Sequence, residues 1–287
     1  MKDRITHALI SFLCIIFVLS FGLIYSGIES EMVISSKHQN SINIAIIMYH
    51  SISKDDSNTG EYIAPLETLE SDIRYLYENG YSTVHISDLI AYVYDGVPLP
   101  KKSVVLTFDD GHYNFITYAL PLLLKHDMKA SIAVVGSFCD TSEKSKDTCP
   151  EHAYMSRDDV SMLSAYDAVE VLNHSYFMHD LQKRPGAGMK PGETFEAYKN
   201  AFTHDTLLMQ QSLQRQNISP AAYVYPYGIF SNESEELLQS MGFLSTLTTV
   251  EKTNIITIAS PQSLFALGRY NRDGRLSTYE FMQKLGL

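Results

Sequence analysis

Tryptophan is absent from this chain of 287 residues, so any stacking of a flat ligand would fall to its 19 tyrosines and 13 phenylalanines. Cysteine occurs three times. Cys14 lies in an apolar run and lacks the small residues expected before a lipidated cysteine. Cys139 and Cys149 flank a polar stretch, CDTSEKSKDTC, as one disulfide or two free thiols, and neither has the neighbours of a thiolate nucleophile. Positive charge is also scarce. With 22 Lys and Arg against 33 Asp and Glu, the formal net charge is −11, which excludes nucleic acid as a partner, because phosphate binding needs clustered cations. A neutral or cationic substrate suits such a surface. No internal repeat occurs, and no compositional break marks a second globular domain. A hydrophobic content of 45% with 19% charged residues excludes global disorder.

The long apolar run is confined to one end. Lys2 and Arg4 precede Ala8–Tyr25, and Glu29 and Glu31 follow it. The run is long enough to cross most of a bilayer's hydrocarbon core, and the charge bias places the remainder outside the cytoplasm. No A-x-A-like cleavage site follows, so a retained anchor is favoured over a cleaved signal peptide. The expectation is a signal-anchor over residues 1–27, a polar linker over 28–41 and one globular domain over 42–287. The protein would then be single-pass in the cell membrane, monomeric, with its globular part extracellular, or secreted if the segment is cleaved.

From Ile42 onward, short apolar runs alternate with helical spacing. INIAIIMYH, VVLTF, KASIAVVGSF, VEVLNHS and AAYVYPYG read as strands. Helices are expected in LETLESDIRYLYENG and STVHISDLIAYVYDG, with Ser87 as N-cap of the second, and in FITYALPLLLKHD. Others are expected in SRDDVSMLSAY, with Ser156 as N-cap and Asp159 completing a capping box, in TFEAYKNAFTHDTLLMQQSLQRQN, and in NESEELLQSMG with Asn232 as N-cap. The alternation predicts an α/β protein with a mostly parallel sheet and enough units for a barrel. QKRPGAGMKPGE reads as a flexible loop beside a substrate groove.

In parallel α/β folds function gathers where strands end. Three polar clusters fall there: Asp109–Asp110, His174–His179 and Tyr227–Gly228. Two adjacent carboxylates at the end of a buried strand repel each other and are costly to bury. The bland explanation is a helix N-cap. For the histidines it is two unrelated surface rings, since a spacing of five brings both to one point in neither helix nor strand. Together the clusters suggest a divalent cation: an Asp and two His form an open coordination set suited to Zn²⁺. The second carboxylate could then take a proton from an attacking water.

In this order TFDDG (Thr107–Gly111), HSYFMH (His174–His179) and YPYG (Tyr225–Gly228) resemble the first three motifs of the polysaccharide deacetylases with a NodB homology domain, carbohydrate esterase family 4. The resemblance spans roughly His50 to Arg269. It implies a distorted, incomplete (β/α) barrel and removal of acetyl from N-acetylhexosamine units of a glycan polymer. It also implies Asp109 as general base, Asp110, His174 and His179 as ligands of Zn²⁺ (or Ni²⁺, Co²⁺ or Fe²⁺), and the Tyr227 backbone N–H as oxyanion donor. MYHSI resembles the first strand of many members, so His50, with Pro226 and Tyr227, would face substrate, although His50 as an ordinary structural histidine is an equal alternative. Most members space the histidines four apart. The spacing of five resembles the subgroup acting on poly-β-1,6-N-acetylglucosamine. Val224 stands where an Arg is usual. LGRY puts Arg269 where the general-acid histidine is expected, and an arginine gives up no proton at neutral pH. Arg269 would instead orient Asp109. Alternatives are an impaired glycan-binding protein on the same fold, or an esterase acting on O-acetyl groups. His112 is supported as a site residue only by adjacency to the Asp pair.

Overall fold

The computed structural model describes residues 40–287. Nine strands form one sheet: β1 (Ser41–Tyr49), β2 (Ser82–Thr83), β3 (Ser103–Phe108), β4 (Ala130–Val134), β5 (Val169–Asn173), β6 (Ala222–Val224), β7 (Ser245–Leu247), β8 (Asn254–Thr257) and β9 (Tyr270–Asn271). Their order is β7-β6-β5-β4-β3-β1-β8, with β2 beside β3 and β9 beside β1. The β3–β4, β4–β5, β5–β6, β6–β7 and β1–β3 pairs are all parallel. The path does not return on itself, so the sheet is a curled half-barrel rather than a closed one.

The strands are apolar runs because both faces are covered. Ile44–Tyr49 and Val104–Phe108 are buried throughout, at about 1.5–3 kcal/mol for each large apolar side chain relative to exposure. The helices cover one face each. In α1 (Leu66–Glu78), Leu69, Ile73 and Leu76 turn inward at helical spacing. In α2 (Ile86–Asp95), Ile86, Leu89, Tyr92 and Val93 do so, and Gly96 ends the helix in the left-handed region at φ 68°. Then follow a π-helical turn, Phe115–Ala119, running into α3 (Leu120–Lys125), and α4 (Gly136–Ser145), α5 (Arg157–Leu163), α6 (Phe195–Gln214), α7 (Asn232–Ser240) and α8 (Thr278–Leu285). Asn43–Leu287 form one compact unit.

The capping box of Ser156 and Asp159 is present. Two other caps move. The expected Ser87 lies inside α2, because His85 caps it and the Glu170 carboxylate accepts the N–H groups of Ile86 and Ser87. Ser231 rather than Asn232 precedes α7. Cys139 and Cys149 are free thiols, and residues 139–145 of the polar stretch they flank belong to α4. The stretch expected as a flexible loop is tied down: the buried Arg184 guanidinium pairs with Glu193, donates to the Gly188 carbonyl at 3.1 Å and lies over Tyr198. The membrane location expected from the N-terminus is corrected. Among the described residues no helix is long and apolar enough to cross a membrane, and the run Ala8–Tyr25 lies outside them. An anchored protein with an extracellular domain therefore has no support in the structure.

Candidate active site

Register brings the three clusters to one edge. Tyr49 pairs with Phe108, so His50 and Asp109 leave the sheet side by side, and the Asp109 N–H donates to the Tyr49 carbonyl at 2.9 Å. Val134 and Tyr223 both pair with Asn173, which places the start of the histidine loop between β4 and β6. At each strand end the chain abandons extended geometry through a left-handed residue other than glycine: Asp110 (φ 71°), Ser175 (φ 69°) and Tyr227 (φ 58°). Such conformations cost free energy and cluster at functional sites. After Asp110 comes Gly111 at φ 74°. Together they turn both carboxylates toward the same side, which a continuing strand would forbid.

Asp110 Oδ1 lies 3.0 Å from His179 Nε2 and 3.5 Å from His174 Nε2. His174 Nδ1 is 2.7 Å from the Val224 carbonyl. A carbonyl only accepts, so Nδ1 holds the proton and Nε2 turns its lone pair to Asp110. Among the described residues the buried Oδ1 has no hydrogen-bond partner of its own. One ligand atom from each residue falls within 4.8 Å of the others, as bonds of about 2.0–2.2 Å around one divalent cation require. Orphaned oxygen, fixed tautomer and spacing together fit a cation held by Asp110, His174 and His179.

Asp109 is held differently. Its two oxygens accept from Arg269 Nη1 at 2.7 Å and Nη2 at 2.8 Å, and Arg269 Nε donates to the Thr248 carbonyl at 2.9 Å. Burial pushes the Asp109 carboxyl up, but Arg269 and His174 more than offset this and hold it below the usual carboxylate range. For Asp110 burial likewise raises, and the rings of His112, His174 and His179 bring it well below that range. His174 is lowered by burial and raised more strongly by the two carboxylates, ending above an ordinary histidine.

Asp109, Asp110, His174 and His179 line a cavity of about 780 Å³ that also contacts His50, Glu61, Tyr62, His112, Glu151, Leu181, Tyr227, Glu251 and Asn271. Among the described residues that line it there is no lysine or arginine. Burial holds the His50 ring below an ordinary histidine. Among the described residues its Nδ1 has no partner, and the ring meets Tyr62 edge-on at 4.9 Å. His112 Nε2 is 3.7 Å from Asp110 Oδ2, and the ring stacks on Tyr154. In the Tyr225–Gly228 turn the bonds run from Gly228 N to Tyr225 O and from Ile229 N to Pro226 O, leaving the Tyr227 N–H outside them. The Tyr227 ring packs on His179 at 4.3 Å, while Pro226 is buried inside the turn. Sequence reasoning missed Glu61, Tyr62, Glu251 and Asn271, which arrive from distant segments without a motif. The tyrosine surplus was the one hint toward Tyr62.

A family profile described as Polysaccharide deacetylase matches residues 96–245. The chain belongs to the polysaccharide deacetylase family. Members of this family are hydrolases. The poly-beta-1,6-N-acetyl-D-glucosamine N-deacetylase of Escherichia coli (strain K12) is 27% identical over 217 residues, covering 69% of this chain and 32% of that protein. The chain thus spans about a third of the length of the curated relatives it matches. A de-N-acetylase from Aggregatibacter actinomycetemcomitans shares the fold at a TM-score of 0.70 and 23% identity, over 85% of this chain and 99% of that one. IcaB from Ammonifex degensii does so at 0.67 and 20%, over 85% and 96%.

Proposed function

We propose that this protein hydrolyses N-acetyl groups of a poly-β-1,6-N-acetylglucosamine-like polymer, releasing acetate and leaving free amines. The carrying observation is that one carboxylate oxygen and two imidazole nitrogens converge beside a second carboxylate gripped by a guanidinium. The likeness to the Escherichia coli deacetylase supports the choice of polymer. Asp110, His174 and His179 would hold a divalent ion, Zn²⁺ first, which when bound supplies a Lewis acid for the amide carbonyl and acidifies water. Asp109, its lone pairs oriented by Arg269, takes the proton of the attacking water and returns it to the leaving nitrogen as the C–N bond breaks. The Tyr227 N–H, unused by its own turn, would donate to the oxyanion. His50 and Tyr227 border the sugar. The cavity, lined by Glu61, Glu151 and Glu251, suits a polymer whose product units are cationic.

The bidentate Arg269 also favours a second reading, a glycan-binding protein, because a carboxylate so paired is a weaker base. Acetate release from poly-β-1,6-N-acetylglucosamine by the metal-loaded chain, compared with Asp109→Asn, separates the two. Release that vanishes in the variant supports hydrolysis. No release from the metal-loaded parent on any N-acetylated glycan leaves the binding reading.

A further inference from the structure

We infer that Asp205 is a positioning residue for the two histidines, an inference that rests on the metal reading above. Neither helix nor strand brings residues five apart to one point, so the loop Ser175–Met178 needs anchors outside itself. Its carbonyls are taken by the start of α4: Gly136 N donates to the Ser175 oxygen at 3.1 Å and Ser137 N to the Tyr176 oxygen at 3.0 Å. Its N–H groups turn the other way. Ser175 N donates to Asn173 Oδ1 at 2.9 Å, Tyr176 N to Asp205 Oδ1 at 2.9 Å and Phe177 N to Asp205 Oδ2 at 2.6 Å. Asp205 comes from the middle of α6 and is 4% exposed.

Among the described residues no ion pair reaches this carboxylate. Burying a carboxylate is costly unless hydrogen bonds offset the loss of water, and here the Tyr176 and Phe177 peptides supply them. The two peptides it grips lie between His174 and His179, so a shift of either moves one imidazole relative to the other. The close contact at Gly136, where a Cβ would come within 2.4 Å of the Tyr176 ring, closes the loop from the opposite side. Among the described residues, Asp205 is thus the one side chain that accepts from two of the peptide N–H groups between the ligands.

The structure supplies a matched control. Glu170 accepts two successive peptide N–H groups in the same manner, from Ile86 at 2.9 Å and Ser87 at 3.0 Å, but at the start of α2. Co²⁺ affinity, by chelator competition, and the Co²⁺ absorption spectrum at saturation are to be measured on the whole chain and on Asp205→Asn, Asp205→Glu, Glu170→Gln and Asp110→Asn. Asp205→Asn is expected to weaken Co²⁺ binding about 10-fold and to shift the spectrum at saturation, the size typical of lost outer-shell support. Asp205→Glu, which retains the charge but displaces it, carries the same expectation if the amide variant does not fold. Glu170→Gln lowers the melting temperature without moving affinity or spectrum. Parent-like affinity and spectrum in whichever Asp205 variant folds overturns the inference. Parent-like binding by Asp110→Asn overturns the metal reading itself, and the positioning role with it.

Discussion

Three residues apart on one segment, Arg269 and Arg272 are both fully buried and both grip an aspartate with two nitrogens. Arg269 meets Asp109 at 2.7 and 2.8 Å, and Arg272 meets Asp72 at 2.6 and 3.2 Å. The pairs differ in what else the carboxylate sees. Asp72 also accepts from Tyr49 at 2.8 Å and Thr278 at 2.6 Å, while Arg272 donates to the Asp273 and Leu276 carbonyls and lies 4.6 Å over the Phe281 ring. Every lone pair is occupied, and the pair ties α1, β1 and α8 together. Asp109 instead has a side open to the cavity, with His174 Nε2 4.0 Å away. A buried ion pair alone therefore says little about function. An ion pair with one unoccupied edge beside two converging imidazoles says a good deal more.

The comparison breaks most visibly at the aspartates. Asp109→Asn should cut acetate release about 10³-fold, within the range for a lost general base, with metal content retained. Asp110→Asn should lose metal and activity together, read by metal analysis of the purified variant. If both variants bind metal normally, the unequal roles of the two carboxylates are wrong. Asp72→Asn should act on stability instead, costing about 3–5 kcal/mol in denaturant unfolding because Arg272 is left buried and unpaired, while turnover per folded molecule is unchanged. A large loss of turnover in folded Asp72→Asn would erase the distinction between the pairs.

Smaller effects sharpen it. Arg269→Lys retains charge but loses the fork, so a fall in turnover of about 10-fold is expected with KM for the polymer nearly constant. Acidity should act through His174. Its folded-state value is raised, so its protonation stabilises the metal-free protein below the ordinary histidine range, and that stability is lost as pH rises through the raised value. Metal must displace this proton, so metal affinity should fall with acidification from a higher pH than for an ordinary histidine, as titrations at several pH values would show. The smallest effect concerns the thiols. Cys149→Ser should leave the melting temperature unchanged, and reductant should not alter it in the parent, since both thiols are free.

Much of this was legible in order along the chain. Apolar runs announced β1, β3, β4, β5 and β6, and the residues just past three of those runs are those that meet in the cavity. Glycine after the Asp pair hinted that the strand ends there. The cap at His85 was not legible, because Glu170, 84 residues away, supplies the acceptor that defines the start of α2. Nor was Asp205, which resembles any polar residue of a long helix until its oxygens meet the Tyr176 and Phe177 peptides. The loop after Leu181 read as flexible because glycine and proline dominate it, yet Arg184 buries itself against Glu193 and Tyr198.

Composition and periodicity alone determined the α/β class, the strand ends that meet in the cavity and the chemical types at those ends, because these depend on local spacing. Tertiary structure decided which carboxylate is gripped by Arg269 and which faces two imidazoles, since that choice turns on left-handed geometry at Asp110 and on a guanidinium arriving 160 residues later. Adjacent residues of the same type have the same local chemistry. Only the groups that folding brings around them make them different.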